Sequence, residues 1–123
     1  MADARRLAAE RRGRQSETLA ALLLRLKGYR ILGRRVRTHA GEIDLIARSP
    51  SGLVCFIEVK ARAEEGTAID SVSARQQARI ARAAQLYVAG RPGLAGKGMR
   101  FDIVTVRPRA LPRHIRDAWR PGD

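Results

Sequence analysis

The chain reads as one α/β domain of element order αβββαβ, a mixed four-stranded sheet with helices on its faces. Three observations predict it. Two strongly apolar runs, Glu42–Arg48 and Leu53–Lys60, flank the turn formers Arg48-Ser49-Pro50-Ser51-Gly52 and so make a β-hairpin. A helical pattern follows, capped by Ser71 or Ser73 and running to about Ala89. A further apolar run, Met99–Val106, then supplies the fourth strand. A helix between two strands is the crossover that allows parallel pairing, and it makes the sheet mixed.

Taken in order, residues from about Ala4 to Lys27 form the first helix, with Gly28 as its C-cap. Leu19, Leu22, Leu23 and Leu26 are its expected apolar stripe. Arg5, Arg6, Arg11, Arg12 and Arg14 make its first half basic, and within residues 1–12 the first turns are expected to fray. Tyr29–Arg37 is a strand, turned by Thr38-His39-Ala40-Gly41 into the hairpin. Ala61–Asp70 has no periodic pattern and reads as a loop, and Gly90-Arg91-Pro92-Gly93 breaks the chain after the second helix. Residues 107–123 form a tail with Pro108, Pro112 and Pro121, without a strong pattern, which Trp119 pins to the body. There is no internal repeat, and 1–123 is a single domain.

Composition narrows the function. Twenty-five basic residues against 12 acidic ones leave a net charge of +13, and only Lys27, Lys60 and Lys97 are lysine. An arginine-dominated field of this sign suits phosphate, in nucleic acid or at an anionic surface, better than a neutral small molecule. Five aromatics, two Phe, one Trp and two Tyr, are too few for a base-stacking platform, which disfavours single-stranded RNA readers of the aromatic-sheet kind. Duplex or branched DNA, held through its backbone, fits better. One cysteine, Cys55, excludes an internal disulfide and lies on an apolar parity, as a small core residue would. No apolar run is long enough to span a bilayer, so a cytoplasmic protein without membrane insertion is expected.

The hairpin carries the chemistry. If its turn centres on Ser51, facing residues have numbers that sum to 102, which sets Asp44 across from Glu58 and Glu42 across from Lys60. Cross-strand partners point to one face with Cβ atoms about 4.5–5.5 Å apart, so the two carboxylates could share a divalent cation. A slip of one residue would turn one strand over and separate them. Parity supports the register. Ile43, Leu45, Ala47, Leu53, Cys55, Ile57 and Val59 are all apolar and should face core. On the other parity Ile46, Val54 and Phe56 are apolar near the turn, while Glu42, Asp44, Glu58 and Lys60 cluster far from it. Charges in so apolar a hairpin must pair or bind a metal. Plain cross-strand ion pairs, Glu42 with Lys60 and Asp44 with an arginine, are the competing reading.

Asp44 with Glu58-Val59-Lys60 resembles the active-site signature of the PD-(D/E)XK nuclease superfamily, and the αβββαβ order is similar to its restriction-endonuclease-like core. More narrowly, the chain resembles the YraN family of predicted endonucleases over about residues 13–106. The features carrying this are Gly13–Glu17, Leu26–Leu32, Gly41–Ala47, Phe56–Lys60, the Gln76–Tyr87 helix and Arg100–Val104. The resemblance implies a structure akin to Holliday-junction resolvases and activity on DNA phosphodiesters. It implies Mg²⁺ or Mn²⁺ held by Asp44 and Glu58, with Lys60 completing the site. Glu17 matches an acidic helix position of resolvase-like members. At the start of the second helix Arg75-Gln76-Gln77 stands where a lysine would be expected.

Around this constellation the residues allow two readings each. Glu17 shares a helix row with Ala20, Ala21 and Leu24 and so faces inward. Glu42 suits a salt bridge to Lys60 or an arginine better than a metal. Gln76 and Gln77 would touch a phosphate or water, or be plain surface. Arg75, Arg79 and Arg82 form one helical stripe which, with Arg34, Arg35 and Arg37 of the first strand, would contact phosphates or simply face solvent. Asp102, in an apolar strand, needs a buried arginine partner, and His114 shows no pattern. The functional expectation is a metal-dependent DNA endonuclease. The alternative is a non-catalytic nucleic-acid-binding module retaining the fold. A homodimer would suit cutting of two strands.

Overall fold

The computed structural model describes residues 2–61 and 71–122, so most of the loop expected at Ala61–Asp70 lies outside the described residues. The elements are α1 (Ala2–Leu26), β1 (Arg30–Thr38), β2 (Gly41–Arg48), β3 (Val54–Ala61), α2 (Ala74–Ala89), β4 (Met99–Val106) and β5 (Arg113–Trp119), with a 3-10 turn at Pro92–Leu94. The sheet order is β1-β2-β3-β4-β5, with β3 and β4 parallel and the other pairs antiparallel. The mixed sheet and the αβββαβ order are as read from the sequence; the sheet has five strands among the described residues, not four.

Alternation sorts the sheet's side chains into two layers. Leu45, Ala47, Cys55, Ile57 and Val104 pack with Ala20, Ala21, Leu24 and Tyr29 on the α1 side. Ile46, Val54, Phe56, Phe101 and Ile103 pack with Ile80, Ala83, Ala84 and Tyr87 on the α2 side. Strands covered on both faces read as nearly continuous apolar runs, which is why β2, β3 and β4 were legible.

The stripe expected on α1 is corrected. Leu19, Leu22 and Leu26 are exposed, the last by 78%, and Leu23 is half-buried. The buried row is Ser16, Glu17, Ala20, Ala21 and Leu24. The sheet already presents bulky Leu45, Ile57 and Val104, so the helix approaches with its small residues. Its C-terminus is the expected one: Gly28, at φ 89°, donates to Arg25 O (3.0 Å), and Tyr29 N–H reaches back to Leu24 O (2.9 Å), a Schellman closure.

The second helix starts at a capping box. Ser73 accepts from Gln76 N–H while the Gln76 side chain accepts from Ser73 N–H. The tail is also corrected. It forms β5, whose Trp119 does pin it, stacked on Phe101 with ring centroids 4.4 Å apart. Its alternation is hidden because a register shift falls between Phe101 and Ile103, Asp117 adopts φ 52°, and the buried side chain at its start is a histidine.

Candidate active site at the open end of the hairpin

The assumed register is the observed one. Leu45–Ile57, Ile46–Phe56, Ala47–Cys55 and Arg48–Val54 all sum to 102. Ser49 N–H donates to Leu53 O (2.8 Å) and Gly52 N–H to Ser49 O (2.9 Å), closing the turn around Ser51. The ladder between β2 and β3 ends at Leu45–Ile57. Beyond it the Asp44 side chain takes the place of a main-chain acceptor: Val59 N–H donates to Asp44 Oδ2 at 2.8 Å. The strands part at the residue that carries the carboxylate.

Alternation also breaks here. Ile43 packs on the α2 side, although Leu45, two residues on, packs on the α1 side. In β1 the corresponding point is Arg35, at φ 49°, between the pairs Arg34–Leu45 and Val36–Ile43. A left-handed residue within a strand twists it locally. The twist brings Arg35 Nε to Glu17 Oε1 (2.7 Å), and Glu42 and Asp44 add their charges to Glu17 in holding the guanidinium's proton.

Glu58 completes the pair. Its side chain, 16% exposed, is hydrogen-bonded to Asp44 and lies 3.9 Å from Lys60 Nζ. Burial first, then the charge of Asp44 and the hydrogen bond to it, push the Glu58 carboxyl up to about 8, while Lys60 and Arg79 pull the other way. The Glu58 carboxyl therefore keeps its proton near neutral pH, because a second negative charge beside Asp44 is costly in a half-dry site. Next to them a cavity of about 230 Å³ is lined by Gly41, Glu42, Glu58, Gln76, Arg79 and Ile80. Arg79 extends over Gly41, its Cδ 3.5 Å from where a Cβ there would stand.

The expected residues therefore fall into groups. Asp44, Glu58 and Lys60 converge. Glu17 is buried beside them but held by Arg35, and Glu42 pairs with Arg37 (3.5 Å) rather than with Lys60. Gln76 borders the cavity while serving the capping box, and Gln77 is turned to Val72 O (3.1 Å). Arg34 donates to Thr18 Oγ1 (2.8 Å), and Arg75, Arg79 and Arg82 line the exposed side of α2. The bridging role of Arg35 depends on its positive φ, which no pattern announced.

The donor set fits a small hard cation. Mg²⁺ and Mn²⁺ take carboxylate oxygens, and Mg²⁺ commonly uses one or two of them, completed by water and substrate phosphate. Among the described residues no third His, Cys, Asp or Glu joins the pair. A cation would displace the proton of Glu58 and relieve the repulsion between the two carboxylates.

A second polar cluster lies under β4. The Asp102 carboxylate, fully buried, accepts from Arg100 Nε (2.8 Å) and Nη2 (2.7 Å), from His114 Nε2 (2.8 Å) and from Asp117 N–H (3.0 Å). Burial would raise its pKa, but the bonds from His114, Arg100 and Asp117 hold it below the usual carboxylate range. It is thus ionised, His114 Nε2 carries the proton, and Nδ1 accepts from Lys27 Nζ (2.6 Å). Every strong acceptor is used, which makes this a tie between the turn after α1, β4 and β5. An arginine partner for Asp102 was expected from its place in an apolar strand; His114 was not.

Fold and site together define an α/β protein with a mixed, doubly covered sheet and a paired-carboxylate centre where its central hairpin opens. The model described as "Uncharacterised protein family UPF0102" matches residues 16–106, and the chain belongs to that family. It is 54% identical over 117 residues to a UPF0102 protein of Paramagnetospirillum magneticum, covering 92% of this chain and 90% of the relative. With the UPF0102 protein of Agrobacterium fabrum it shares 53% identity over 115 residues, 94% and 93% of the two chains. For that of Parvibaculum lavamentivorans the figures are 51% over 115 residues, 94% and 86%. The YraN-like family expected from the motifs is thereby shown. No described helix is long and apolar enough to cross a membrane.

Proposed function

We propose that the protein is a metal-dependent DNA endonuclease of PD-(D/E)XK type, hydrolysing phosphodiesters at Asp44, Glu58 and Lys60. The observation that carries this reading is the meeting of the Asp44 and Glu58 carboxyls where β2 and β3 part, with Lys60 alongside. A structural ion pair would set each acid against a base; here two acids face each other.

Asp44 is oriented by Val59 N–H and Glu58 by Lys60, so both carboxylates are preorganised for a cation. When bound, Mg²⁺ or Mn²⁺ supplies Lewis-acid polarisation of the phosphate and lowers the pKa of an attacking water. Lys60 stabilises charge growing on the phosphate oxygens or orients that water. Glu17 positions rather than reacts, acting through Arg35, whose guanidinium balances the acidic cluster. Arg79 and Gln76, at the mouth of the cavity, face the approach of an anionic backbone.

The second reading, a nucleic-acid-binding module that does not cut, draws on a specific observation: Glu17 and Glu42 are tied to arginines, leaving two carboxylates for a cation. Cleavage assays on linear, flapped and four-way DNA separate the two. We expect Mg²⁺- or Mn²⁺-dependent cutting by the wild type, and loss of cutting with retained DNA retention in Lys60→Ala. DNA retention without cutting of any substrate would favour the binding module.

A further inference from the structure

The first half of α1 stands apart from the body. From Asp3 to Gln15 every residue but Ala8 and Gly13 is exposed, and burial starts only at Ser16 and Glu17. At 1.5 Å per residue this overhang is about 18 Å long. It carries Arg5, Arg6, Arg11, Arg12 and Arg14 against Asp3 and Glu10. Between its inner end and the connection from β4 to β5 runs a groove of about 730 Å³, within the roughly 300–1,000 Å³ of ligand-holding sites. Its walls include apolar Leu19, Val106, Pro108 and Leu111, and arginines Arg12 and Arg109. Leu111 is 91% exposed.

The groove borders the end of β3 that carries the candidate active site, on the α1 side of the sheet. It is bordered by Ala61, which follows Lys60 directly and pairs with Val106, and by Ser16, next to Glu17.

We infer that this groove holds an unpaired strand of nucleic acid, and that it directs the site to DNA bearing a single-stranded arm. The inference rests on the proposed nuclease reading and adds the form of the substrate. An unpaired strand offers phosphates on one edge and the faces of sugars and bases on the other. Arginines above an apolar wall match both, and their planar guanidiniums also stack on bases. A duplex hides its bases and would meet the apolar wall with nothing but charge. The net charge of +13 favours this occupant over an acyl chain that brings a single headgroup.

The test is fluorescence anisotropy in EDTA, where nothing is cut, with a labelled single strand, the matching duplex and a flap. The wild type should bind the single strand and flap more tightly than the duplex. Arg12→Glu/Arg109→Glu should weaken single-strand binding tenfold or more, and lower its log K against log salt slope by about 1.4, at about 0.7 per phosphate contact. Leu111→Asp should weaken the same ligand and spare the duplex. All three positions are exposed, and circular dichroism checks that the variants fold. Equal losses on duplex and single strand would overturn the inference, as would unchanged binding. So would losses confined to vesicles of anionic phospholipid. If the double variant cuts flaps like the wild type, the groove fails while the nuclease reading stands; if the wild type prefers the strand but cuts nothing, the reverse holds.

Discussion

Glu58→Gln is expected to raise thermal stability at pH 8 and to change it little at pH 5. In the folded protein the Glu58 carboxyl titrates at about 8, against about 4.5 in the unfolded chain. A group with a raised folded pKa contributes stability that is fully present below the unfolded pKa and is lost as pH rises through the folded one. The wild type should therefore weaken from about pH 4.5 to pH 8, by on the order of a few kcal/mol. Glutamine keeps a donor towards Asp44 and removes the titration. For a domain of this size the difference at pH 8 is about 10 °C in Tm. Saturating Mn²⁺ should reverse the order, because only the wild type retains both ligands and gains from binding. Melting curves across pH, with and without Mn²⁺, read both effects. A Tm difference that does not widen with pH would mean that Asp44 and Glu58 are not coupled.

Asp102→Ala is the substitution expected to cost most stability. It removes the shared acceptor of Arg100, His114 and Asp117 N–H, and leaves the Arg100 guanidinium, 14% exposed, without its buried partner. Breaking a buried pair in this way costs about 3–5 kcal/mol, against a total of about 5–15 for a domain. Urea denaturation should show the midpoint falling steeply. Because Asp102 ties β5 to β4 and is not part of the carboxylate pair, Mn²⁺ affinity measured below the transition should be unchanged. A loss under about 1 kcal/mol, or a parallel loss of Mn²⁺ binding, would contradict the structural role assigned to it.

The hairpin was legible because two local signals agreed. The serine-rich turn set the register and the apolar parity confirmed it, so Asp44 and Glu58 could be brought together from the sequence alone. What was hidden depends on geometry that side-chain periodicity does not encode. The split of the strands at Asp44 and the bridging of Glu17 by Arg35 turn on one positive φ in β1. In α1 the larger leucines suggest the buried stripe, but close approach to a bulky sheet selects the alanine row. β5 escaped because a bulge breaks its alternation, and because it buries His114, whose burial is tolerable only through Asp102 and Lys27.

The central claim is that Asp44 and Glu58 form a cation site, and calorimetric titration of Mg²⁺ and Mn²⁺ tests it most directly. The wild type should take up metal and release a proton near neutral pH, since Glu58 carries one there. Asp44→Asn should bind neither ion while keeping its fold. Absence of metal binding by the wild type, with DNA present or not, would contradict the account and leave the carboxylate pair as a structural feature of a basic binding module.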